Sequence, residues 1–193
     1  MGEKQAETDY DALQLVILDR DGVINFDSDN YIKSAAEWIP IPGSLQAIAR
    51  LKQAGYKLAV ATNQSGIARG YYDLETLASM HKKMQTELAK HHGKIDLIRF
   101  CPHLPEDHCH CRKPKPGMLH DILSDTGLSP QKAIFAGDSI SDMLAAKAAN
   151  IPFVLLKTGK GERSLLNLSE AERKQIKIFS SLQAFVNELL STV

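Results

Sequence analysis

Apolar residues in this chain fall into short continuous runs that alternate with stretches of helical spacing from one end to the other. Leu13 to Leu18 reads as a first buried strand, Leu58 to Ala61 as a second and Ile95 to Phe100 as a third. Ala133 to Ala136 and Pro152 to Leu156 follow, with a shorter run at Ile176 to Phe179. Short unbroken apolar runs are what a strand buried on both faces produces. Between them, Leu45, Ile48 and Leu51 predict a helix entered at Gly43-Ser44 and stopped by Gly55. Leu74, Leu77, Met80, Met84 and Leu88 share one face of a longer helix that Asp73 caps and that ends near His91-His92-Gly93; the Met80, Met84 and Leu88 stripe is read as core. Met118 to Asp125 predicts a helix closed by Gly127, and Ser141 to Ala149 another. Ser169 to Gln175 reads as a polar helical stretch, and Leu182, Phe185, Val186, Leu189 and Leu190 as a final amphipathic helix. The alternation predicts an α/β fold, a mostly parallel sheet with helices on both faces. No repeat or linker composition divides the chain, so residues 1–193 are expected to form one domain, with 1–11 flexible.

Hydrophobic residues make up 44% of the chain, enough for a sizeable core. Lys plus Arg and Asp plus Glu both total 23, so no net field attracts nucleic acid or an acidic membrane, and a small substrate is expected. Met1 to Asp11 lacks the apolar core of a signal peptide, and no run approaches the roughly 20 residues that span a bilayer. The expectation is a cytoplasmic protein, monomeric by default, with no nucleic-acid or membrane partner. In a reducing compartment the three cysteines, all between Cys101 and Cys111, call for an explanation other than disulfides.

Candidate chemistry sits at strand ends. Asp19-Arg20-Asp21-Gly22 follows the first run, and Thr62-Asn63 ends the second. Lys113 lies in Arg112-Lys113-Pro114-Lys115-Pro116-Gly117, and Gly137-Asp138-Ser139, with Asp142, follows Ala133 to Ala136. A lone D-x-D could be turn chemistry, but the whole set suits phosphoryl transfer. A phosphomonoester dianion repels a carboxylate nucleophile, so cations must offset the repulsion; Lys113 and a Mg²⁺ held by Asp19 and Asp138 would do so. Asp21 can protonate the leaving alkoxide and later deprotonate the attacking water, and Thr62 and Asn63 can donate to phosphoryl oxygens.

In this order D-R-D-G-V, T-N, R-K-P and G-D-S-x-x-D resemble the four motifs of the haloacid dehalogenase superfamily of phosphatases, over about Leu13 to Gly159. The resemblance implies a three-layer Rossmann-like fold, with Asp19 as nucleophile and Asp21 as acid/base. It implies Thr62 and Lys113 as phosphoryl stabilisers, and Asp138 as a Mg²⁺ ligand beside Asp19 and the Asp21 backbone carbonyl. Asp142 is implied as a water-mediated ligand or a brace on Lys113, with a helix N-terminal cap as the plainer role. Thr62 to Gly70, Cys101-Pro102-His103 and Cys109 to Met118 further resemble the heptose bisphosphate phosphatase family. Histidinol-phosphate phosphatases share the cysteine segment. The heptose resemblance implies Asp27, Tyr31, Asn63, Gln64, Ser65 and Arg112 as substrate-binding residues, Arg112 at the far phosphate. It implies removal of the 7-phosphate of a heptose 1,7-bisphosphate on the way to nucleotide-activated heptose. The alternatives are a histidinol-phosphate phosphatase and a non-catalytic zinc-stabilised binding module. Ser139 departs from that family, which commonly has lysine there. Gly22 to Leu58 and Gly70 to Cys101 are too short for a large cap domain.

Cys101-x-His103, five residues, then Cys109-x-Cys111 offers three thiolates and an imidazole, enough for a closed structural Zn²⁺ site on the loop carrying Arg112 and Lys113. His108 and His110 are local rivals for the imidazole; the family resemblance favours His103. His81, His91, His92 and His120 are read as solvated helix-surface residues.

Overall fold

The structure, a computed structural model, describes residues 10–191. The flexible segment expected over 1–11 therefore lies, for residues 1–9, outside the described residues; Tyr10 is buried in a short 3-10 turn, Tyr10–Ala12.

Six strands, β1 (Leu15–Leu18), β2 (Lys57–Asn63), β3 (Leu97–Cys101), β4 (Ala133–Gly137), β5 (Phe153–Leu156) and β6 (Lys177–Phe179), form one parallel sheet in the order β3-β2-β1-β4-β5-β6. Successive β1 side chains point to opposite faces. Val16 and Leu18 join Trp38, Ile48 and Phe185 in one core; Leu15 and Ile17 join Leu119, Ile122 and Phe135 in the other. Helices α1 (Ser44–Gln53), α2 (Leu74–Ala89) and α7 (Leu182–Ser191) supply the first layer. Helices α3 (Gly117–Thr126) and α4 (Ile140–Ala148) supply the second. Asp73 caps α2 by accepting the Thr76 N–H, and Met80, Met84 and Leu88 are buried, as the pattern predicts. No helix among the described residues is long and apolar enough to cross a membrane.

Three elements differ from the sequence expectation. β1 starts at Leu15 rather than Leu13, because the Leu13 N–H closes the preceding turn on the Tyr10 carbonyl at 3.2 Å. β3 starts at Leu97 rather than Ile95, because the Asp96 carboxylate takes the Leu58 N–H at 2.9 Å and holds this stretch in a turn before the ladder begins. A helix α5 (Gly161–Asn167) precedes the polar α6 (Glu170–Arg173). Its buried face is Gly161 and Ser164, so it leaves no apolar stripe to read.

β1 is flanked by β2 and β4, so chain connections depart to opposite sides of it. That reversal opens a crevice at the carboxyl ends of the strands, where open α/β sheets bind ligands. Among the described residues no cap domain stands over it.

Candidate active site

Asp19 follows β1 at the crevice floor. Its Oδ1 accepts the Arg20 backbone N–H at 2.7 Å and faces Lys113 Nζ at 2.9 Å, while among the described residues Oδ2 has no hydrogen-bond partner. Lys113 is ringed by oxygens: Nζ also pairs with Asp142 Oδ1 at 2.6 Å and donates to the Ala61 carbonyl at 2.7 Å. The Asp142 and Asp19 charges outweigh the burial that would lower it, and hold Lys113 above its ordinary value. Asp142 is thus the brace on Lys113. Its Oδ2 accepts the Ser139 N–H and hydroxyl, closing a capping box at the start of α4 in which Ser139 is the N-cap.

Asp21 is wired differently. The fully buried Arg20 forks onto it through Nε and Nη2 at 2.9–3.1 Å, with Asn25 and Gln64 donating at 2.8 and 2.9 Å. Burial would raise Asp21, but the Arg20 charge and these donors hold its carboxyl below the usual aspartate value. Gln64, expected as a substrate contact, is buried with its amide committed. It donates to Asp21 and Thr62 and accepts from Arg20 and the Tyr72 hydroxyl. Thr62 thereby keeps its own hydroxyl proton for a ligand. Asn63 exchanges two 3.1 Å hydrogen bonds with the Lys113 backbone and clamps that segment, while its second Nδ2 proton has no partner among the described residues and lies in the cleft lining. His81 is not a solvated histidine either. Its Nε2 lies 3.3 Å from Arg20 Nη1, and burial together with the Arg20 charge lowers it to about 4. Since arginine can only donate, Nε2 accepts and the ring proton sits on Nδ1. His92 and His120 are exposed and His91 half-buried.

Asp19, Asp138 and Asp142 offer carboxylate oxygens within 4.8 Å of one another. Asp142 is committed to Lys113, but Asp19 Oδ2, Asp138 Oδ1 and the Asp21 carbonyl carry no hydrogen bond among the described residues. An all-oxygen set with two buried carboxylates fits Mg²⁺. Gly22 (φ +86°) and Gly159 (φ +56°) press on Asp138 Oδ2 from either side, where a Cβ would collide with it. Burial, opposed by Lys113, pushes Asp19 up to about 7; burial with the Asp142 and Asp19 charges pushes Asp138 up to about 8. Both stand above the ordinary 3.8, so from about pH 4 upward the folded state binds more protons than the unfolded one until pH passes 7 to 8. Stability therefore falls as pH rises through that window. Metal-free protein should lose melting temperature from pH 5 to pH 8, and the gain from added Mg²⁺ should widen over the same range. Parallel melting curves with and without Mg²⁺ would contradict the assignment.

On the neighbouring loop, His103 Nδ1 lies 3.6 Å from Cys101 Sγ and 3.4 Å from Cys111 Sγ, and Cys109 Sγ lies 3.6 and 3.5 Å from the same two sulfurs. Sulfurs at such spacing are too far apart for a disulfide; a tetrahedron with Zn–S of about 2.3 Å has edges near 3.8 Å, close to what is seen. Burial pushes Cys101 up to about 12, so its thiolate form needs a cation. The set fits Zn²⁺ with His103 as the imidazole. Neither His108, which has a left-handed backbone, nor His110 belongs to the cluster. Arg112 depends on this loop, since its Nη1 donates to the His103 carbonyl at 3.2 Å, whereas Lys113 is held independently by Asn63, Asp19 and Asp142. Cys109→Ser should therefore lose zinc and raise KM about tenfold, the scale of one charge-assisted hydrogen bond, with little change in kcat. Metal content and steady-state kinetics check this; an equal loss in kcat would show that Lys113 also depends on the loop.

One cleft of about 330 Å³ takes in the expected catalytic and substrate residues, including Asp27, Tyr31, Ser65 and Arg112. Tyr31 packs edge-on against Tyr71 with ring centroids 5.0 Å apart. The sequence reading missed Arg20, Asn25, Tyr72 and Lys160. Arg20 carried a signal, because a charge at the end of a buried strand must be paired.

A family model described as a hydrolase, haloacid dehalogenase-like hydrolase, matches residues 3–150. The chain is 54% identical over 176 residues to the D-glycero-beta-D-manno-heptose-1,7-bisphosphate 7-phosphatase of Pseudomonas aeruginosa, covering 91% of this chain and 97% of that one. Identity to the protein of the same name from Neisseria meningitidis is 44% over 173 residues, covering 90% and 92%. The crystal structure of D,D-heptose 1,7-bisphosphate phosphatase from B. bronchiseptica, complexed with magnesium and phosphate, superposes with a TM-score of 0.89 at 45% identity, covering 94% of this chain and 100% of that one.

Proposed function

The chain belongs to the haloacid dehalogenase-like hydrolases and is a phosphatase, and on that premise we propose that it removes the 7-phosphate of D-glycero-D-manno-heptose 1,7-bisphosphate, with Asp19 as nucleophile. The observation that carries the chemistry is Asp19 itself. One oxygen is pinned by Lys113 and a backbone N–H, and the other is free at the floor of the cleft. The substrate is the one for which its 54%-identical relative is named. The reading includes a single-domain monomer acting in the cytoplasm, a compartment in which the three free cysteines would stay reduced.

The Asp19 carboxylate attacks phosphorus, the bond from phosphorus to the C7 oxygen breaks, and Asp21 delivers a proton to the departing alkoxide. Water, deprotonated by Asp21, then attacks the phosphoaspartate, releasing phosphate and regenerating Asp19. To carry the first proton Asp21 must give up at least one donor from Arg20, Asn25 or Gln64, since a protonated carboxyl has fewer lone pairs to offer. As drawn, it is set for the second step, as base. Lys113, buried and paired with Asp19 and Asp142, acts on the phosphoryl group mainly as a fixed charge beside Asp19, while the Thr62 hydroxyl is free to donate. Mg²⁺, held by Asp19, Asp138 and the Asp21 carbonyl, would supply positive charge for the equatorial phosphoryl oxygens.

Mg²⁺-dependent phosphate release from both anomers of the heptose 1,7-bisphosphate and from histidinol phosphate tests the reading. A preference in kcat/KM of about a hundredfold for either bisphosphate, some 2.7 kcal/mol in the transition state, is expected. Preference for histidinol phosphate would overturn the substrate while leaving the phosphatase chemistry in place.

A further inference from the structure

Two cations in the cleft differ from Lys113 in being open to solvent: Arg112 and Lys160. Lys160 follows β5, beyond the four strand-end motifs and outside residues 3–150 matched by the family model. Its backbone is anchored to the reaction centre. The Lys160 N–H donates to Asp138 Oδ2 at 2.7 Å, the Ser164 hydroxyl donates to the Asp138 carbonyl at 2.8 Å, and the Gly161 N–H donates to the Thr158 carbonyl at 2.8 Å. The side chain is held far more loosely. Nζ pairs with a single group, Asp27 Oδ2 at 3.0 Å, and 44% of the side chain is exposed, against 2% for Lys113. An ammonium has three protons to place, so two of them are open to a ligand among the described residues.

The sheet order gives the position its meaning. β5 and β3 each lie two strands from β1, on opposite sides. The loop after β3 carries Arg112 and the loop after β5 carries Lys160, so the two open cations reach the cleft from opposite sides of β1. Ser139, the position where the resembling family commonly has lysine, lies on the Lys160 side, and its hydroxyl is spent on capping α4. The cleft lining holds Asp19, Asp21, Asp27, Asp29 and Asp138 against Arg112, Lys113 and Lys160, so a substrate with a second phosphate needs an accessible cation.

We propose that Lys160 is a specificity residue that leaves Asp27 to bind the phosphate that is not transferred, supplying from the end of β5 the cation that Ser139 does not. This rests on the bisphosphate reading above. No covalent step is involved: an ion pair with a carboxylate is exchanged for one with a phosphate dianion, which favours the guest because it carries more charge and more acceptor oxygens.

The test compares wild type, Lys160→Gln and Lys160→Arg on the heptose 1,7-bisphosphate and on the heptose 7-monophosphate, with Mg²⁺ affinity measured alongside. Lys160→Gln should lower kcat/KM for the bisphosphate on the order of thirtyfold, mostly through KM, and change the monophosphate less than about threefold. Lys160→Arg should retain most of the preference, and Mg²⁺ affinity should be unchanged in both variants. Equal losses on the two substrates, or weakened Mg²⁺ binding, would place the effect at Asp138 and overturn the proposal, as would a Lys160→Gln enzyme that still prefers the bisphosphate as wild type does. Failure of the substrate reading shows separately, as a wild type that does not turn over the bisphosphate at all.

Discussion

Asp19→Asn should abolish turnover, with a loss on the order of 10⁴- to 10⁶-fold, the scale seen when a covalent nucleophile is removed. The substitution is nearly isosteric. An asparagine oxygen can still accept the Arg20 N–H and face Lys113, so folding and ligand binding should survive while the attacking oxygen is lost. Single-turnover assays separate the outcomes: wild type should give a phosphorylated enzyme on rapid quenching, and the variant none. Phosphate release within about tenfold of wild type would mean that water attacks directly and that Asp19 is only a ligand.

The largest stability effect should come from Lys113→Met. Lys113 is 2% exposed and is the cation paired with both Asp19 and Asp142, themselves 12% and 0% exposed. Removing one partner of a buried charge group leaves the others unpaired, which costs about 3–5 kcal/mol. At about 2–4 °C per kcal/mol for a chain of this size, the melting temperature should fall by roughly 6–20 °C. Asp19 without its cation also shifts toward the protonated, non-nucleophilic form, so activity should fall by at least about 10³-fold. Adding Asp142→Asn removes one of the stranded charges yet keeps an oxygen to cap α4. The double variant should regain part of the stability and none of the activity. A single variant as stable as wild type would mean that solvent reaches the site freely.

Much of this site was legible in the sequence because its chemistry is carried by residue types that are costly to bury without purpose. Asp19 and Asp21 follow an apolar run, Asp138 follows another, and three cysteines fall within eleven positions of one another; each is a local pattern, and the structure brings each set together. The amides were harder to read. Gln64 stands two residues from Thr62 and looks like a ligand donor, yet its amide is spent on Asp21, Thr62, Arg20 and Tyr72, and Asn63 carries a second task in holding the Lys113 backbone. His81 sits on a helix whose pattern exposes it, but Arg20 reaches it from 61 residues away. α5 was invisible because what it buries is a serine bonded to the Asp138 carbonyl.

By itself, then, the sequence determined the alternation of strands and helices, the strand-end position of each reactive group and the zinc-ligand cluster, since all of these follow from periodicity and spacing within a few residues. Tertiary structure decided which of those groups meet. The order β3-β2-β1-β4-β5 brings Lys113 onto Asp19 and Asp142, and puts Lys160 on the far side of the nucleophile from Arg112. The physical reason is that a side chain's partner across a parallel sheet is set by strand order and register, through contacts spanning tens of residues. A local pattern of apolar and polar positions holds no record of that order.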